Sequence, residues 1–183
     1  MAILPVRIYG DPALRTKARP VTEIDDTIRK LAQDMHETMH AYHGVGLAAN
    51  QIGILQRILV VDVPLESDEH AKFTLINPKI ESRSGNEEGE EGCLSIPGIY
   101  ENVKRALQIR VTALDEHGKP VDLVAGGYLA RAIQHEVDHL DGVLFVDRLS
   151  LLKRQLLRRA LDSLARGEMP DGHVPPIPSE GAF

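Results

Sequence analysis

The sequence predicts an α+β fold, in which mixed or antiparallel sheets lie around a central helix that carries a HExxH motif. Two observations lead to this class. Segments with helical periodicity and β-branched runs do not alternate strictly along the chain, which argues against a doubly wound parallel sheet. Helical patterns also lie towards both ends, so an N-terminal and a C-terminal helix should flank the strands.

The N-terminal helix is predicted over residues 25–42. Apolar residues recur there at spacings of three and four, as on one face of a helix: Ile24, Ile28, Leu31, Met35, Met39 and Tyr42. Asp25 and Asp26 stand where an N-cap is expected, and Gly44 follows where the helix should end.

Four segments are predicted as strands. Residues 57–63 form a β-branched run typical of a buried strand, and residues 73–77 form a shorter strand that ends at Pro78. Residues 107–113 alternate apolar and polar side chains, and a short turn leads from them into residues 120–124. These last two segments therefore indicate a hairpin.

The HExxH helix is predicted over residues 126–140, where Asp141-Gly142 supplies a stop signal. A last helix is predicted over residues 149–166, with basic residues mostly off its apolar stripe. The stripe comprises Leu149, Leu152, Leu156, Ala160 and Leu164. Residues 1–167 should form a single domain, and residues 168–183, rich in proline and glycine, are predicted to be a flexible tail.

Composition narrows the class of protein. The chain has 183 residues, 43% of them apolar, and a formal net charge of −6, so we expect a packed core and no binding to DNA or to an anionic membrane. The N-terminus lacks the pattern of a signal peptide, and no apolar run approaches the roughly 18–20 residues of a membrane span. The single cysteine, Cys93, cannot form an internal disulfide, which is typical of a cytoplasmic protein.

The HExxH motif is the segment His135-Glu136-Val137-Asp138-His139. Residues four apart share one helix face, so His135 and His139 can direct two imidazoles at one metal ion. Glu136 lies beside the first histidine, where it can reach a water without occupying a coordination position. This pattern indicates a metal-dependent hydrolase, but two histidines do not complete a site.

A third ligand has to come from elsewhere in the chain. A HExxHxxGxxH continuation fails because Phe145 stands at the third histidine position, and no glutamate lies between Glu136 and Glu168. Cys93, in a turn-rich stretch, is a candidate because thiolates bind borderline-soft divalent cations well. The alternative is that Cys93 is only a small buried apolar residue.

A third motif spans residues 44–51, Gly44-Val45-Gly46-Leu47-Ala48-Ala49-Asn50-Gln51. It lacks the lysine and the strand–glycine–helix context of a phosphate-binding loop. Its glycines and alanines instead allow the backbone to approach a ligand closely, and the Gln51 amide can donate to an oxygen.

These three segments, 44–51, 91–95 (Glu-Gly-Cys-Leu-Ser) and 134–139 (Gln-His-Glu-Val-Asp-His), resemble the three motifs of the peptide deformylase family in order and spacing. The resemblance extends over residues 3–165 and implies a hydrolase that removes the N-formyl group from formyl-methionine of nascent peptides, releasing formate. It implies that Cys93, His135 and His139 bind one divalent metal, natively Fe²⁺, with Zn²⁺, Ni²⁺ or Co²⁺ as alternatives in purified protein.

The resemblance also implies the roles of further residues. Glu136 would take a proton from the attacking water and return it to the leaving amine, while the Leu94 N–H and the Gln51 amide would hold the formyl oxygen. Gly46 would bind the peptide backbone. The residues expected around the methionine side chain are Val45, Tyr128 and Ala132. Tyr100 and His43 depart from the family pattern near the peptide-binding region.

Two other functions remain open at this stage. A HExxH endopeptidase would need a longer cleft and a third ligand other than cysteine. A structural metal-binding module would usually have four protein ligands and no open position. Glu136 beside three candidate ligands favours catalysis over the second alternative.

The sequence also leads to predictions for the charged residues outside these motifs. The basic residues of the last helix could dock on ribosomal RNA, although a solvated helix that packs its leucines on the domain is the simpler interpretation. The acidic run at residues 87–91 is expected to be a solvated loop, and Arg131 a solvated or structural charge.

Overall fold

The computed structural model describes residues 2–65 and 69–173. Within these ranges the chain forms three α-helices, seven β-strands and three short 3-10 turns. The helices are α1 (Asp26–Ala41), α2 (Gly127–Leu140) and α3 (Leu151–Ala165). The strands are β1 (Gly46–Ala48), β2 (Ile58–Pro64), β3 (His70–Ser84), β4 (Glu87–Cys93), β5 (Ile96–Arg105), β6 (Gln108–Leu114) and β7 (Pro120–Gly126).

The strands form two antiparallel sheets, which confirms the α+β class. Five strands pair in the order β1-β2-β3-β6-β7, and β4 pairs with β5 in a separate hairpin. The larger sheet lies between two helices. Met35 and Met39 of α1 pack with Ile58 and Val60 on one face. The apolar side of α2 packs on the other face, against Leu59, Val61, Val111 and Ala125.

The sequence of β2 is a nearly continuous run of apolar residues because both faces of this strand are buried. Ile58, Leu59, Val60 and Val61 are all fully buried, with alternate residues facing α1 and α2. The predicted helices α1 and α2, the strand β2 and the hairpin β6–β7 are all confirmed. Asp25 caps α1 as expected, its carboxylate accepting from the Ile28 N–H.

The prediction that a strand ends at Pro78 is wrong. β3 continues for six more residues, to Ser84, because its register with β6 shifts between Ile76 and Lys79. Asn77 lies in this irregularity with φ +54°, so Pro78 falls where the ladder is already interrupted and its missing N–H costs nothing.

The expectation of a solvated loop at residues 87–91 is also wrong. These residues form β4, paired along its length with β5. Alternation places Glu88 and Glu90 in solvent and Glu91 in the interior, with 6% of its surface exposed.

The apolar stripe predicted for the last helix matches the observed packing only in part, because Leu149 and Leu164 are buried and its other members are not. Leu152 and Leu156 are 66% and 75% exposed, and Ala160 also faces solvent. Ser150 caps α3 at its start, and Leu161 and Leu164 pack in a core cluster that includes Ile96, Ile99 and Val103 of β5. Leu157 packs beside them, and nearer the start of the helix Lys153 Nζ donates to Glu101 of β5 at 2.8 Å.

No helix among residues 2–65 and 69–173 has the length and apolar character needed to cross a bilayer.

Candidate active site

Helix α2 presents both histidines of the HExxH motif on its buried side. The ring centroids of His135 and His139 are 5.0 Å apart. The helix ends where the Gly142 N–H donates to the His139 carbonyl, with Gly142 at φ +75°. A Cβ at Gly142 would lie 2.7 Å from the Arg15 carbonyl oxygen, so glycine is required both for the turn and for this contact.

Cys93 meets the two histidines from the second sheet. It ends β4 and pairs with Ile96 across a two-residue turn, which directs its thiol towards α2. The Cys93 Sγ lies 3.2 Å from His139 Nε2, which lies 3.2 Å from His135 Nε2. All three donor atoms lie within 4.8 Å of one another. Donors of a tetrahedral ion with bonds of about 2.0–2.3 Å are about 3.3–3.7 Å apart, so the three fit one divalent metal.

The electrostatic surroundings of these donors favour a cation. Burial lowers the pKa of His139 well below its ordinary value, which leaves the neutral imidazole that a metal requires. Burial opposes protonation of His135 as well, but hydrogen bonds with Cys93 and Glu91 and the charge of Glu136 raise its pKa well above the ordinary value. The groups around these donors therefore attract positive charge, and a metal ion can supply that charge in place of a proton.

Glu91 orients His135 through a hydrogen bond at Nδ1, the ring nitrogen that does not face His139. Its carboxylate accepts from His135 Nδ1 at 2.9 Å, from two nitrogens of Arg105 at 2.8 and 2.9 Å, and from Arg131 Nη1 at 2.9 Å. Burial would raise the pKa of Glu91, but the hydrogen bonds from Arg105 and His135 outweigh it and hold the pKa at about 2. Arg131 is therefore a structural charge, buried and paired.

Asp138, the second acid of the motif, extends this network. Its carboxylate accepts from Arg105 Nη1 and from both Nε and Nη2 of Arg148. One face of α2 thus presents the candidate metal donors, while arginines connect the neighbouring face to β5 and to the turn before α3. An orienting hydrogen bond to the second nitrogen of a metal-binding histidine fixes its tautomer and ring direction.

Glu136 is buried beside the donors without a firm partner. It is 4% exposed, and its Oε2 has no hydrogen-bond partner among the described residues. Burial raises the pKa of Glu136 to about 7, which suits a group that both accepts and donates a proton near neutral pH. A Cβ at Gly46 would lie 2.5 Å from Glu136 Oε1, so β1 can pass this close only because residue 46 is glycine.

Gln51, in the 3-10 turn that follows β1, lies next to Cys93. Its Nε2 is 3.6 Å from Cys93 Sγ and 3.2 Å from Ser95 Oγ, and its Oε1 accepts from the Ala48 N–H at 2.8 Å. The amide N–H groups therefore face the donor cluster, as a site for a carbonyl oxygen requires. Leu94 follows Cys93 in the β4–β5 turn and lines the same cavity.

These side chains surround a cavity of about 410 Å³, which is within the range of about 300–1,000 Å³ usual for small-ligand sites. The structure brings every predicted substrate-binding residue to its wall: Val45, Gly46, Tyr128 and Ala132. Ala132 is buried and Tyr128 is 53% exposed, so the wall runs from a closed apolar end to an open rim. His139 lies behind the other donors, outside the lining.

Sequence reasoning missed the buried ion pairs and the last residues that the structure describes. Arg131 interrupts an otherwise apolar stretch of a buried helix, and such a charge needs a carboxylate, but nothing local identifies Glu91 as that partner. His173, assigned to the tail, also lines the cavity.

Comparison with known proteins identifies the family of this chain. The polypeptide deformylase family model matches residues 3–155. Peptide deformylase from Alkalilimnicola ehrlichii is 53% identical over 166 residues, which cover 91% of this chain and 93% of that protein.

Solved structures of peptide deformylases have the same fold as this chain. The crystal structure of a peptide deformylase from Legionella pneumophila is 44% identical with a TM-score of 0.83, covering 92% of this chain and all of that one. Peptide deformylase from Ehrlichia chaffeensis in complex with actinonin is 40% identical with a TM-score of 0.84, over 93% and 100% of the two chains. On its three motifs, its fold and these matches, the chain belongs to the polypeptide deformylase family of metal-dependent hydrolases, which remove the N-formyl group from nascent peptides.

Proposed function

We propose that the cavity binds the formyl-methionine end of a nascent peptide and that Glu136 carries the proton between the two halves of the reaction. The observation that supports this is a buried carboxyl group with an unpartnered oxygen, next to three converging donors that could hold a metal ion. Burial also raises the pKa of this group to about 7. Glu136 takes a proton from the attacking water and delivers it to the amine nitrogen as the C–N bond breaks. The products are formate and a peptide with a free amino terminus.

Cys93, His135 and His139 hold one divalent metal in this proposal, with Fe²⁺ as the native ion and Zn²⁺, Ni²⁺ or Co²⁺ as substitutes in purified protein. When bound, the ion supplies Lewis-acid activation of water and of the formyl group. The thiolate makes the donor set soft, which suits late first-row metals and makes it sensitive to oxidation. Glu91 orients His135 for binding through its Nδ1.

The remaining assignments concern the substrate. The Gln51 amide and the Leu94 N–H stabilise the negative charge that develops on the formyl oxygen, where loss of one donor typically costs about 10²–10³ in turnover. Gly46, on the edge strand β1, binds the peptide backbone. Val45, Tyr128 and Ala132 enclose the methionine side chain.

Formate release from a formyl-Met peptide, measured with the metal content of the same sample, tests the proposal. Glu136→Gln should retain metal but lose at least about 100-fold in turnover. Glu88→Gln, the same change on an exposed residue of β4, is the control and should keep its activity. Full activity in Glu136→Gln would contradict the assigned mechanism. Cleavage of internal peptide bonds without formate release would favour the endopeptidase alternative.

We also propose that the protein acts in the cytoplasm, on chains still held by the ribosome, and that α3 docks on ribosomal RNA. Arg154, Arg158 and Arg159 are exposed on this helix, on a chain of net charge −6. The exposed Leu152 and Leu156 lie among them and do not pack on the domain. This charge arrangement complements RNA phosphates.

Co-sedimentation with ribosomes tests this docking. Arg154→Glu with Arg158→Glu should weaken binding, and the weakening should diminish at high salt. Lys79→Glu with Lys119→Glu, an equal change of charge on exposed residues of the large sheet and its turn, should leave binding intact. Unchanged binding of the α3 variant would show that the helix is only a solvated element of the domain.

A further inference from the structure

The chain returns to the active site after α3. The helix ends at Ala165, and Gly167 follows in the left-handed conformation, φ +82°. Residues 169–173, which we call the return segment, then run back towards the β4–β5 turn. The His173 N–H donates to the Pro170 carbonyl at 3.1 Å, which closes a turn at the end of the segment. Of the predicted tail, residues 168–183, the last ten residues lie outside the described residues.

The return segment is seated on β5 by a close contact. A Cβ at Gly98 would lie only 2.9 Å from Pro170 Cγ, so the proline ring packs directly on the glycine backbone. Gly98 has φ +78°, so both its conformation and this contact exclude a side chain. Pro97, Gly98 and His173 all line the cavity that contains Cys93 and Glu136.

The position of His173 suits a contact with substrate. In the proposed function the formyl group reaches the donor cluster and methionine occupies the apolar end, so the rest of the peptide leaves through the rim. That rim is formed by polar aromatic side chains, Tyr100 and Tyr128 among them, together with His173. The cavity keeps about 410 Å³ with the segment in place, so the segment forms a wall without filling the space.

We propose that the return segment extends the peptide-binding cleft and that His173 is a specificity-determining residue, hydrogen-bonding the backbone of the substrate beyond its second residue. This inference rests on the proposed function. The ligand is a formylated peptide of three or more residues, and the imidazole can donate to its carbonyls or accept from its N–H groups. Because such a contact is made equally in the ground and transition states, it should act on KM and leave kcat nearly constant.

Two truncated chains isolate the segment. One ends at Glu168 and the other at His173, so both lack residues 174–183 and they differ only in residues 169–173. Kinetics are measured with a formyl-Met dipeptide and a formyl-Met tetrapeptide. The chain that ends at Glu168 should show a tetrapeptide-to-dipeptide KM ratio about fivefold higher than the chain that ends at His173, the effect of about one hydrogen bond. His173→Ala in the full chain should reproduce most of this rise in the KM ratio. His173→Gln should show a smaller rise, because the glutamine amide can still form a hydrogen bond.

Each other outcome has a definite meaning. Equal KM ratios in the two truncated chains, with normal formate release, would overturn the inference and leave the proposed function standing. A rise in kcat/KM on removal of residues 169–173 would show that the segment blocks the cleft, which also overturns it. If the chain that ends at Glu168 fails to fold, the His173→Ala KM ratio decides alone. No formate release from either peptide by the full chain would overturn the proposed function and this inference together.

Discussion

Replacing Glu91 with glutamine removes the charge that supports His135 while keeping the shape of the side chain. The carboxylate accepts hydrogen bonds from His135, Arg105 and Arg131 and is 6% exposed. The amide has only one oxygen, and its NH2 group would face donors. Arg105 would retain Asp138, whereas Arg131 would retain three backbone carbonyls but no carboxylate among the described residues.

The magnitude follows from the pKa of Glu91. Its value of about 2, against an ordinary 4.5, corresponds to about 3 kcal/mol of stability at neutral pH. Breaking one partner of a buried ion pair typically costs about 3–5 kcal/mol, which agrees. We therefore expect the free energy of unfolding of metal-free Glu91→Gln to fall by about 3 kcal/mol. Loss of the hydrogen bond to His135 should also reduce metal affinity about 10- to 100-fold.

Urea unfolding of the metal-free protein in chelator gives the first quantity, and competition with a metal chelator at pH 7 gives the second. Glu88→Gln, on the same strand but exposed, is the control and should change the free energy of unfolding by less than about 0.5 kcal/mol. A loss of under about 1 kcal/mol in Glu91→Gln, with wild-type metal affinity, would refute the reasoning that this network stabilises the fold and orients His135.

Three further predictions follow from the described contacts. Gly46→Ala should reduce formate release about 100-fold without loss of metal, because the new Cβ would lie 2.5 Å from Glu136 Oε1. Gly126→Ala is the control, because a Cβ at Gly126 would make only an ordinary contact. Leu161→Ala should cost about 2–5 kcal/mol in urea unfolding and Leu156→Ala under about 0.5, because only Leu161 is buried; equal effects would contradict the packing of α3. Burial, with the charges of Lys72 and His40, lowers the pKa of His36 to about 4. The free energy of unfolding should therefore be independent of His36 above pH 6.5 and fall by up to about 3 kcal/mol between pH 6.5 and pH 4. His36→Phe should show a shallower loss than wild type over this range, whereas an identical pH dependence would exclude this role for His36.

The sequence was sufficient where the information is local. The spacing of His135, Glu136 and His139 depends only on helical geometry, and α2 places them as predicted. Continuous apolar residues in β2 and the alternation in β6 likewise identified strands without knowledge of their partners. Cys93 was found because the motif was incomplete, and its thiol does lie beside both histidines.

Errors arose where one segment has several possible neighbours. The acidic run at residues 87–91 has the composition of a solvated loop, but pairing with β5 makes it a strand and turns Glu91 inward. Two overlapping sets of leucines can each form a stripe on α3. Packing against apolar residues of β5 buries Leu161 and Leu164, of which only Leu164 was in the predicted stripe, and leaves Leu152 and Leu156 in solvent.

By itself, then, the sequence determined the family, the α+β class and the residues available for catalysis, because these depend on motifs and on periodicity within short segments. The tertiary structure alone decided that Glu91 supports His135, that Gly46 touches Glu136 and that His173 reaches the cleft. Glu91 and His135 are 44 residues apart in the chain, Gly46 and Glu136 are 90 apart, and His173 follows Cys93 by 80 residues. Such contacts depend on how separate elements pack, which no local pattern records.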